Sequence, residues 1–337
     1  MKTRNSKLSL SQNLLTILMV LVIYAVVFVL IYTGQASRQL TNMLISSSCY
    51  IVMAVSLNLV VGMLGELSLG HACFMSIGLF SGCLLSITLL ERFPVIPFAV
   101  RLIVSMIFGG LFASAFGFII GLPALRLNGD YLAIVTLACG EIIKTIITNM
   151  TITGGARGLE TGAIYQNSKT LLPYAFGLVL LTIVLIINLQ NSKYGRAIMA
   201  IRDNNIAAES VGINLTYYKL SVFVLAAFFA GAAGTLYGHN FANIKATTFD
   251  YNMSIEFLLI VVLGGMGSIR GSLIAAILLK ALPELLRDFN DYRMLAYSVL
   301  LILIMLFNSA PKFNQYKTAF RNLFHLNKMS KSEGKED

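Results

Sequence analysis

The feature that most constrains this chain is a series of apolar runs, most of which are long enough to cross a lipid bilayer. An α-helix rises about 1.5 Å per residue, so about 20 apolar residues cross a hydrocarbon core of about 30 Å. Polar or glycine-containing segments separate one run from the next. The runs cover residues 13–32, 43–63, 67–90, 97–122, 131–147, 172–189, 217–238, 254–265, 268–286 and 294–307.

The composition agrees with this interpretation. Of the 337 residues, 57% are hydrophobic and 12% are charged, whereas a soluble domain has about 25% charged residues. The mean hydropathy is +0.79. These values exclude a soluble enzyme, a secreted disulfide scaffold and a disordered protein. We expect an all-α fold, a polytopic integral membrane helical bundle.

The net charge is +10, and nine of the 25 basic residues lie in two tails. Basic residues flank membrane spans on the cytoplasmic side, so this charge does not indicate nucleic acid binding. Residues 1–12 are predicted to be a cytoplasmic tail, residues 13–310 the transmembrane domain, and residues 311–337 a basic cytoplasmic tail. The basic residues of the tails are Lys2, Arg4, Lys7, Lys312, Lys317, Arg321, Lys328, Lys331 and Lys335.

The same rule restricts the number of crossings. Residues 193–219 are also basic, and an even number of spans returns both this segment and the C-terminal tail to the cytoplasm. We therefore predict about ten transmembrane helices, or eight plus a re-entrant hairpin formed by residues 254–286. Residues 13–32 are long enough to be a retained span rather than a cleaved signal peptide.

Small residues indicate close packing of these helices. Three GxxxG pairs lie within apolar runs, and such pairs let helix backbones approach one another. The cysteines also lie in apolar segments and are expected to pack as small hydrophobic residues. The pairs are Gly78 with Gly82, Gly117 with Gly121, and Gly234 with Gly238.

Catalytic and nucleotide-binding motifs are missing from the sequence. It contains neither GxSxG nor HExxH, and no GxxxxGK[ST] phosphate loop. We expect no catalytic group, no metal site and no cofactor in this chain, so that any energy source lies in a partner or an ion gradient. Glu141 and Lys144, three residues apart, are predicted to form an ion pair on one helix. The other charged candidates near estimated span ends are Glu66, Glu256, Lys280 and Glu284.

Residues 193–219 are predicted to form two short amphipathic helices. Apolar residues recur at helical spacing after Gly195. Asn204 or Asn205 can cap the second helix, and Gly212 suits a left-handed residue at its end. Such a segment can rest on lipid headgroups or dock in a groove of a soluble partner. Its length favours docking.

The stretch GRAIMAIRDNNIAAESVGIN, residues 195–214, is similar to the LivM-type permeases of branched-chain amino acid ABC transporters. Ala207, Ala208 and Gly212 also resemble the EAA loop of ABC importer permeases, with Ile206 in place of its glutamate. Three further stretches agree in the family's order. They are GELSLGHACFMSIGLFSG at 65–82, NGDYLAIVTLACGEIIK at 128–144, and SIEFLLIVVLGGMGSIRG at 254–271.

This resemblance implies one permease subunit of an ABC importer in a bacterial cell membrane, with both termini in the cytoplasm. It implies a homologous second permease subunit, two ATPase subunits that bind ATP and Mg²⁺, and an external solute-binding protein. Glu66 departs from the family, whose members more often have glutamine there. The residues implied in coupling to the ATPase are Arg196, Arg202, Asp203, Ala207, Ala208, Glu209 and Gly212.

Polar or glycine residues inside apolar runs are candidates for the translocation path. A hydrogen bond between helices is the alternative for His71, and a tight turn is the alternative for the two glycines. The candidates are Ser68, His71, Ser76, Thr136, Glu141, Gly264 and Gly265.

Two other functions remain open at this stage. An ion-coupled secondary transporter is also polytopic but does not need paired cytoplasmic helices. A urea or short-amide permease has much of the same motif set, so the sequence leaves the solute open between these amides and leucine, isoleucine or valine.

Overall fold

The computed structural model describes residues 20–25, 28, 38–127, 129–286, 295, 298, 299 and 302. Apart from two short strands, the regular structure of this part is helical. The α-helices are α1 Arg38–Asn58, α2 His71–Arg92, α3 Phe98–Ala124, α4 Asp130–Asn149, α5 Ser168–Asn191, α6 Lys193–Asp203, α7 Asn205–Ser210, α8 Leu215–Gly238, α9 Tyr251–Gly264 and α10 Ile269–Leu285. The described residues up to Ala281 belong to one compact unit, and those from Leu282 onward belong to a second unit.

Seven segments of the described residues are long and apolar enough to cross a membrane. They confirm the polytopic helical bundle. The helix α10 has 17 residues and is shorter than these segments. Most of residues 13–32 and 294–307, and both predicted tails, lie outside the described residues, so the predicted number of about ten spans is not confirmed. The seven segments are Gln39–Leu64, His71–Arg92, Phe98–Ala124, Asp130–Asn149, Ser168–Asn191, Leu215–Gly238 and Ala246–Gly264.

Glycines hold α2, α3 and α8 together at backbone contact. A Cβ atom added at Gly78 would lie 2.2 Å from the Cα atom of Gly231, and one at Gly234 would lie 2.0 Å from the carbonyl oxygen of Met75. Thr235 Oγ1 donates a hydrogen bond of 2.8 Å to the carbonyl oxygen of Gly78. The predicted close packing at the GxxxG pairs is therefore confirmed for α2 and α8.

The two ends of the bundle carry different structures. At one end, the strands Leu159–Glu160 and Asn243–Ile244 form an antiparallel ribbon, in which Leu159 pairs with Ile244. At the other end lie α6, α7 and the loop of residues 65–70. We call these ends the ribbon face and the coupling face. The 24-residue helix α8 runs between them and is about 36 Å long.

A π-helical turn, Leu59–Leu64, continues α1 to the coupling face. It ends at Gly65, whose φ of 81° is a left-handed conformation that glycine adopts without strain. The chain then forms the loop of residues 65–70 before α2 begins at His71. This loop places Glu66 and Ser68 beside α4 and α8.

Candidate functional site

The helix α6 begins at a capped position directly after α5. Ser192 Oγ accepts a hydrogen bond of 3.2 Å from the Gly195 amide. Ile198 and Ile201 are buried, whereas the side chain of Arg196 is exposed. The predicted amphipathic helix is therefore confirmed, and it packs its apolar side against the bundle.

The second helix, α7, has the predicted cap and the predicted end. Asn204 Oδ1 accepts a hydrogen bond of 3.0 Å from the Ala207 amide. The helix ends before Gly212, whose φ is 85°. The amide of Ile213 then donates a hydrogen bond of 3.1 Å to the carbonyl oxygen of Ala208. These contacts form the left-handed helix end that the sequence predicted.

Two large apolar side chains of this region face away from the bundle. Ile206 is 82% exposed and Val211 is 75% exposed, whereas Ala208 between them is buried. Asp203 and Glu209 are also exposed. The outer surface of α7 thus combines apolar and acidic side chains on a helix whose ends are fixed by caps.

Arg202 joins residues 193–219, which we call the coupling segment, to the end of α1. Its Nη1 atom donates a hydrogen bond of 3.1 Å to the carbonyl oxygen of Gly62, and its Nε and Nη2 atoms donate to Asp203 Oδ1 at 3.2 and 3.0 Å. A Cβ atom added at Gly65 would lie 2.7 Å from Arg202 Cγ. The Arg202 side chain therefore lies directly against the backbone that follows α1.

A buried ion pair makes a second link at the same face. Lys219 Nζ lies 2.5 Å from Glu66 Oε1, and the two side chains are 6% and 10% exposed. Sequence analysis singled out Glu66 but missed its partner. The two opposite charges stand at ends of apolar runs, and the number of spans between them places both ends on the same side of the membrane. This pattern could have identified the pair.

The structure brings several path candidates together near the start of α2. Thr136 Oγ1 accepts a hydrogen bond of 3.1 Å from the Leu69 amide, and His71 Nε2 lies 2.8 Å from Ser56 Oγ. His71 thus makes the hydrogen bond between helices that was its alternative interpretation. Within the described part of the chain, the buried hydroxyls of Ser68 and Ser76 have no hydrogen-bond partner.

Glu141 and the two glycines make other contacts. Glu141 forms the predicted ion pair with Lys144 and accepts a hydrogen bond of 3.2 Å from the Tyr251 amide at the start of α9. Gly264 and Gly265 form a tight turn between α9 and α10. A Cβ atom added at Gly264 would lie 2.4 Å from the carbonyl carbon of Gly271, and Gly265 has a φ of 89°.

Two charged residues have positions that the sequence did not indicate. Glu256 and Lys280 were expected near span ends, yet each lies inside a helix, at the sixth position of the 14-residue α9 and the twelfth of the 17-residue α10. Tyr50 of α1 contacts both side chains. Among the described residues, no group of three or more histidine, cysteine or acidic side chains could hold a metal ion.

In comparison with known proteins, one family matches most of the chain. A family described as the permease component of branched-chain amino acid transport systems matches residues 39–309. The chain is 36% identical over 304 residues to the high-affinity branched-chain amino acid transport system permease protein LivM of Salmonella typhimurium, covering 81% of this chain and 69% of the relative. The LivM protein of Escherichia coli K12 is also 36% identical, over 303 residues with the same coverage.

A second kind of permease is related more distantly. The LivH protein of Salmonella typhimurium, named as a permease of the same high-affinity transport system, is 24% identical over 287 residues, covering 80% of this chain and 92% of the relative. No solved structure matches the chain in a corresponding comparison.

Proposed function

Because the chain belongs to the family of branched-chain amino acid transport permeases, we propose that it is one permease subunit of an ATP-driven importer of leucine, isoleucine or valine. The importer operates in a bacterial cell membrane. A second, homologous permease subunit completes the translocation path, since relatives named LivM and LivH resemble this one chain to different degrees. An external solute-binding protein delivers the amino acid.

ATP hydrolysis takes place on two partner subunits that bind ATP and Mg²⁺. The sequence of this chain contains no phosphate loop. The permease then has only to offer its path to opposite sides of the membrane in two states that the partners stabilise differently.

The observation that carries the proposal is the outer surface of α7. Short helices that present apolar side chains are recognised by grooves in partner proteins, and Ile206 and Val211 are both more than two-thirds exposed. A cytoplasmic ATPase that closes around α7 covers these side chains. Polar contacts come from Arg196, Arg202, Asp203 and Glu209, while Ala207, Ala208 and Gly212 set the shape of the helix and its end.

Two contacts at the coupling face connect the docked helices to the membrane spans. Arg202 bonds the backbone at the end of α1, and Lys219 pairs with Glu66 beside the start of α2. A displacement of α6 and α7 is therefore passed to α1, α2 and α8 together. The helices α2 and α8 move as a body because their packed glycine contacts leave no room for gradual deformation.

For the path, the proposal assigns different roles to the candidate residues. Ser68 and Ser76 have hydroxyls that can bind a substrate, because both are buried without a partner in the described part. Their neighbours His71 and Thr136 hold the loop of residues 65–70 and the start of α2 in place. Glu141 holds the start of α9, while Gly264 and Gly265 let the chain turn at the coupling face.

Reconstitution of the complete complex in liposomes tests this function. ATP is supplied on the ATPase side, the binding protein on the other side, and labelled leucine and urea are followed separately. We expect leucine uptake that requires both ATP and the binding protein. Uptake driven by a proton or sodium gradient without ATP contradicts the proposal, and ATP-driven uptake of urea but not leucine contradicts its substrate.

The docking surface is tested with a matched pair of variants. Ile206→Asp places a charge where the ATPase is proposed to cover an apolar side chain, and Ile206→Leu keeps the apolar surface. We expect the first to lose copurification of the ATPase and coupled uptake, and the second to retain both. Wild-type uptake by Ile206→Asp and by Arg202→Glu shows that this segment is not the docking site.

A further inference from the structure

Three helices bring a carboxylate, a phenol and an ammonium group together inside the bundle. The Tyr50 hydroxyl of α1 donates a hydrogen bond of 3.3 Å to Glu256 Oε2 of α9. Lys280 Nζ of α10 lies 3.8 Å from the centre of the Tyr50 ring. We call these three residues the zwitterion cluster.

Measured along their helices from the coupling face, the three residues lie at depths that correspond to the interior of a hydrocarbon core of about 30 Å. At about 1.5 Å per residue, Glu256 is about 12 Å along α9 from Gly264, and Lys280 is about 16 Å along α10 from Ile269. Tyr50 is about 21 Å from Leu64, where its helix reaches the coupling face. Charged side chains at such depth are costly and mark substrate or ion pathways.

Glu256 and Lys280 do not form a direct ion pair with each other, in contrast to three other pairs of charged side chains among the described residues. Those pairs have nitrogen–oxygen distances within 4 Å, namely Glu141 with Lys144, Arg202 with Asp203, and Glu66 with Lys219. In the described part, Lys280 Nζ forms neither such a contact nor a hydrogen bond. Glu256 and Lys280 are also only half-buried, in contrast to Glu66 and Lys219.

We propose that the zwitterion cluster binds the charged groups of an amino acid during translocation, with the ammonium group on Glu256 and the carboxylate on Lys280. This inference rests on the proposed function and names the contacts by which the path recognises its substrate. The amino acid and the cluster each contain one positive and one negative charge. Binding therefore pairs every charge, and no unpaired ion is left in a medium of low polarity.

The third member of the cluster and its surroundings complete the site. The Tyr50 ring lies beside both charged groups and packs edge-on against Phe257, with ring centres 5.0 Å apart. Apolar aromatic surface next to a charge pair suits an amino acid with a hydrocarbon side chain. A neutral amide such as urea has no charged groups for Glu256 and Lys280, so the cluster also favours an amino acid over urea.

A structural ion pair is the alternative role, and a double substitution separates the two. If the pair only stabilises the bundle, replacing both members by neutral residues removes the cost of an unpaired charge and preserves uptake. If it binds substrate, the double variant Glu256→Gln/Lys280→Met assembles with its partners but takes up leucine poorly. We expect a loss of at least about tenfold in leucine uptake at a fixed concentration of loaded binding protein.

The control variant is Glu91→Gln/Lys169→Met, which makes the same two chemical changes at exposed residues outside the cluster. It is expected to transport at the wild-type rate. Assembly is measured by size-exclusion chromatography and by the thermal unfolding midpoint of the purified complex. Wild-type uptake by the assembled double variant overturns the inference.

If the double variant does not assemble, two milder variants test whether the zwitterion cluster binds substrate. Tyr50→Phe removes one hydroxyl, and Glu256→Asp keeps the charge but withdraws it by one methylene group. Both are expected to raise the substrate concentration at half-maximal uptake by about threefold or more, with a smaller change in the maximal rate. An unchanged half-saturation in both overturns the inference. Failure of wild-type ATP-driven leucine uptake instead overturns the proposed function on which it rests.

Discussion

Glu66 and Lys219 are 153 residues apart in the sequence and form a buried ion pair of 2.5 Å at the coupling face. Lys219 lies in the first turns of α8, at the end of the coupling segment, and Glu66 lies in the loop between α1 and α2. The pair therefore joins the chain leaving the coupling segment to the helices that enter the membrane. A buried pair of this kind contributes to stability mainly because neither charge is left alone.

The first prediction concerns this pair. Glu66→Leu leaves the Lys219 ammonium buried without a partner, and we expect a loss of about 3–5 kcal/mol in stability. The double variant Glu66→Leu/Lys219→Met removes both charges and is expected to recover most of that loss. Thermal unfolding of the purified subunit in detergent measures both. Equal midpoints for the single variant and the wild type would contradict the buried pair.

The second prediction concerns the end of α7. Gly212 has a φ of 85°, and a Cβ atom added there would meet nothing within 4 Å, so any cost of substitution is conformational. Gly212→Val is expected to introduce local strain of about 1–3 kcal/mol and to lower transport and transport-stimulated ATPase activity. Membrane insertion should be retained.

Gly212→Asn is the control for this change, because asparagine tolerates the left-handed conformation better than other residues. We expect it to keep most of the wild-type uptake. If valine and asparagine give the same activity, the left-handed helix end has no part in coupling.

The third prediction tests the contact between α2 and α8. Gly78→Ala places a methyl group 2.2 Å from the Gly231 Cα atom, so the helices must separate. Overpacking of this kind costs about 1–3 kcal/mol. Gly177→Ala in α5 is the matched control, since its added methyl meets nothing within 4 Å. The control should be neutral or up to about 1 kcal/mol more stable, and the order of the two unfolding midpoints checks the prediction.

The fourth prediction concerns orientation. In a background without the four native cysteines, Ile206→Cys and Glu160→Cys place single thiols at the coupling face and the ribbon face. A membrane-impermeant maleimide added to intact cells should label the thiol at position 160 and leave that at position 206 unlabelled until the cells are permeabilised. External labelling at position 206 would reverse the topology inferred from the positive-inside rule.

Much of the fold was predictable from the sequence because membrane spans and helix caps depend on local properties. A run of about 20 apolar residues forms a helix in a bilayer, because a helix satisfies all its backbone hydrogen bonds within the segment. The ends of α6 and α7 were predictable for a similar reason. Asn204 and Gly212 act within one turn of themselves, through a side-chain cap and a left-handed backbone.

The partners of the charged residues were decided by the tertiary structure. Tyr50 and Glu256 are 206 residues apart, and their hydrogen bond depends on which helices are neighbours and on how far each is rotated about its axis. A hydropathy pattern gives the depth of a residue only roughly, which is why Glu256 and Lys280 were expected at span ends. By itself the sequence determined a polytopic helical chain with a capped segment between two spans. Packing determined that this segment is joined to α1 through Arg202, and to the α1–α2 loop through Lys219 and Glu66, because contacts between distant residues form only when the helices assemble.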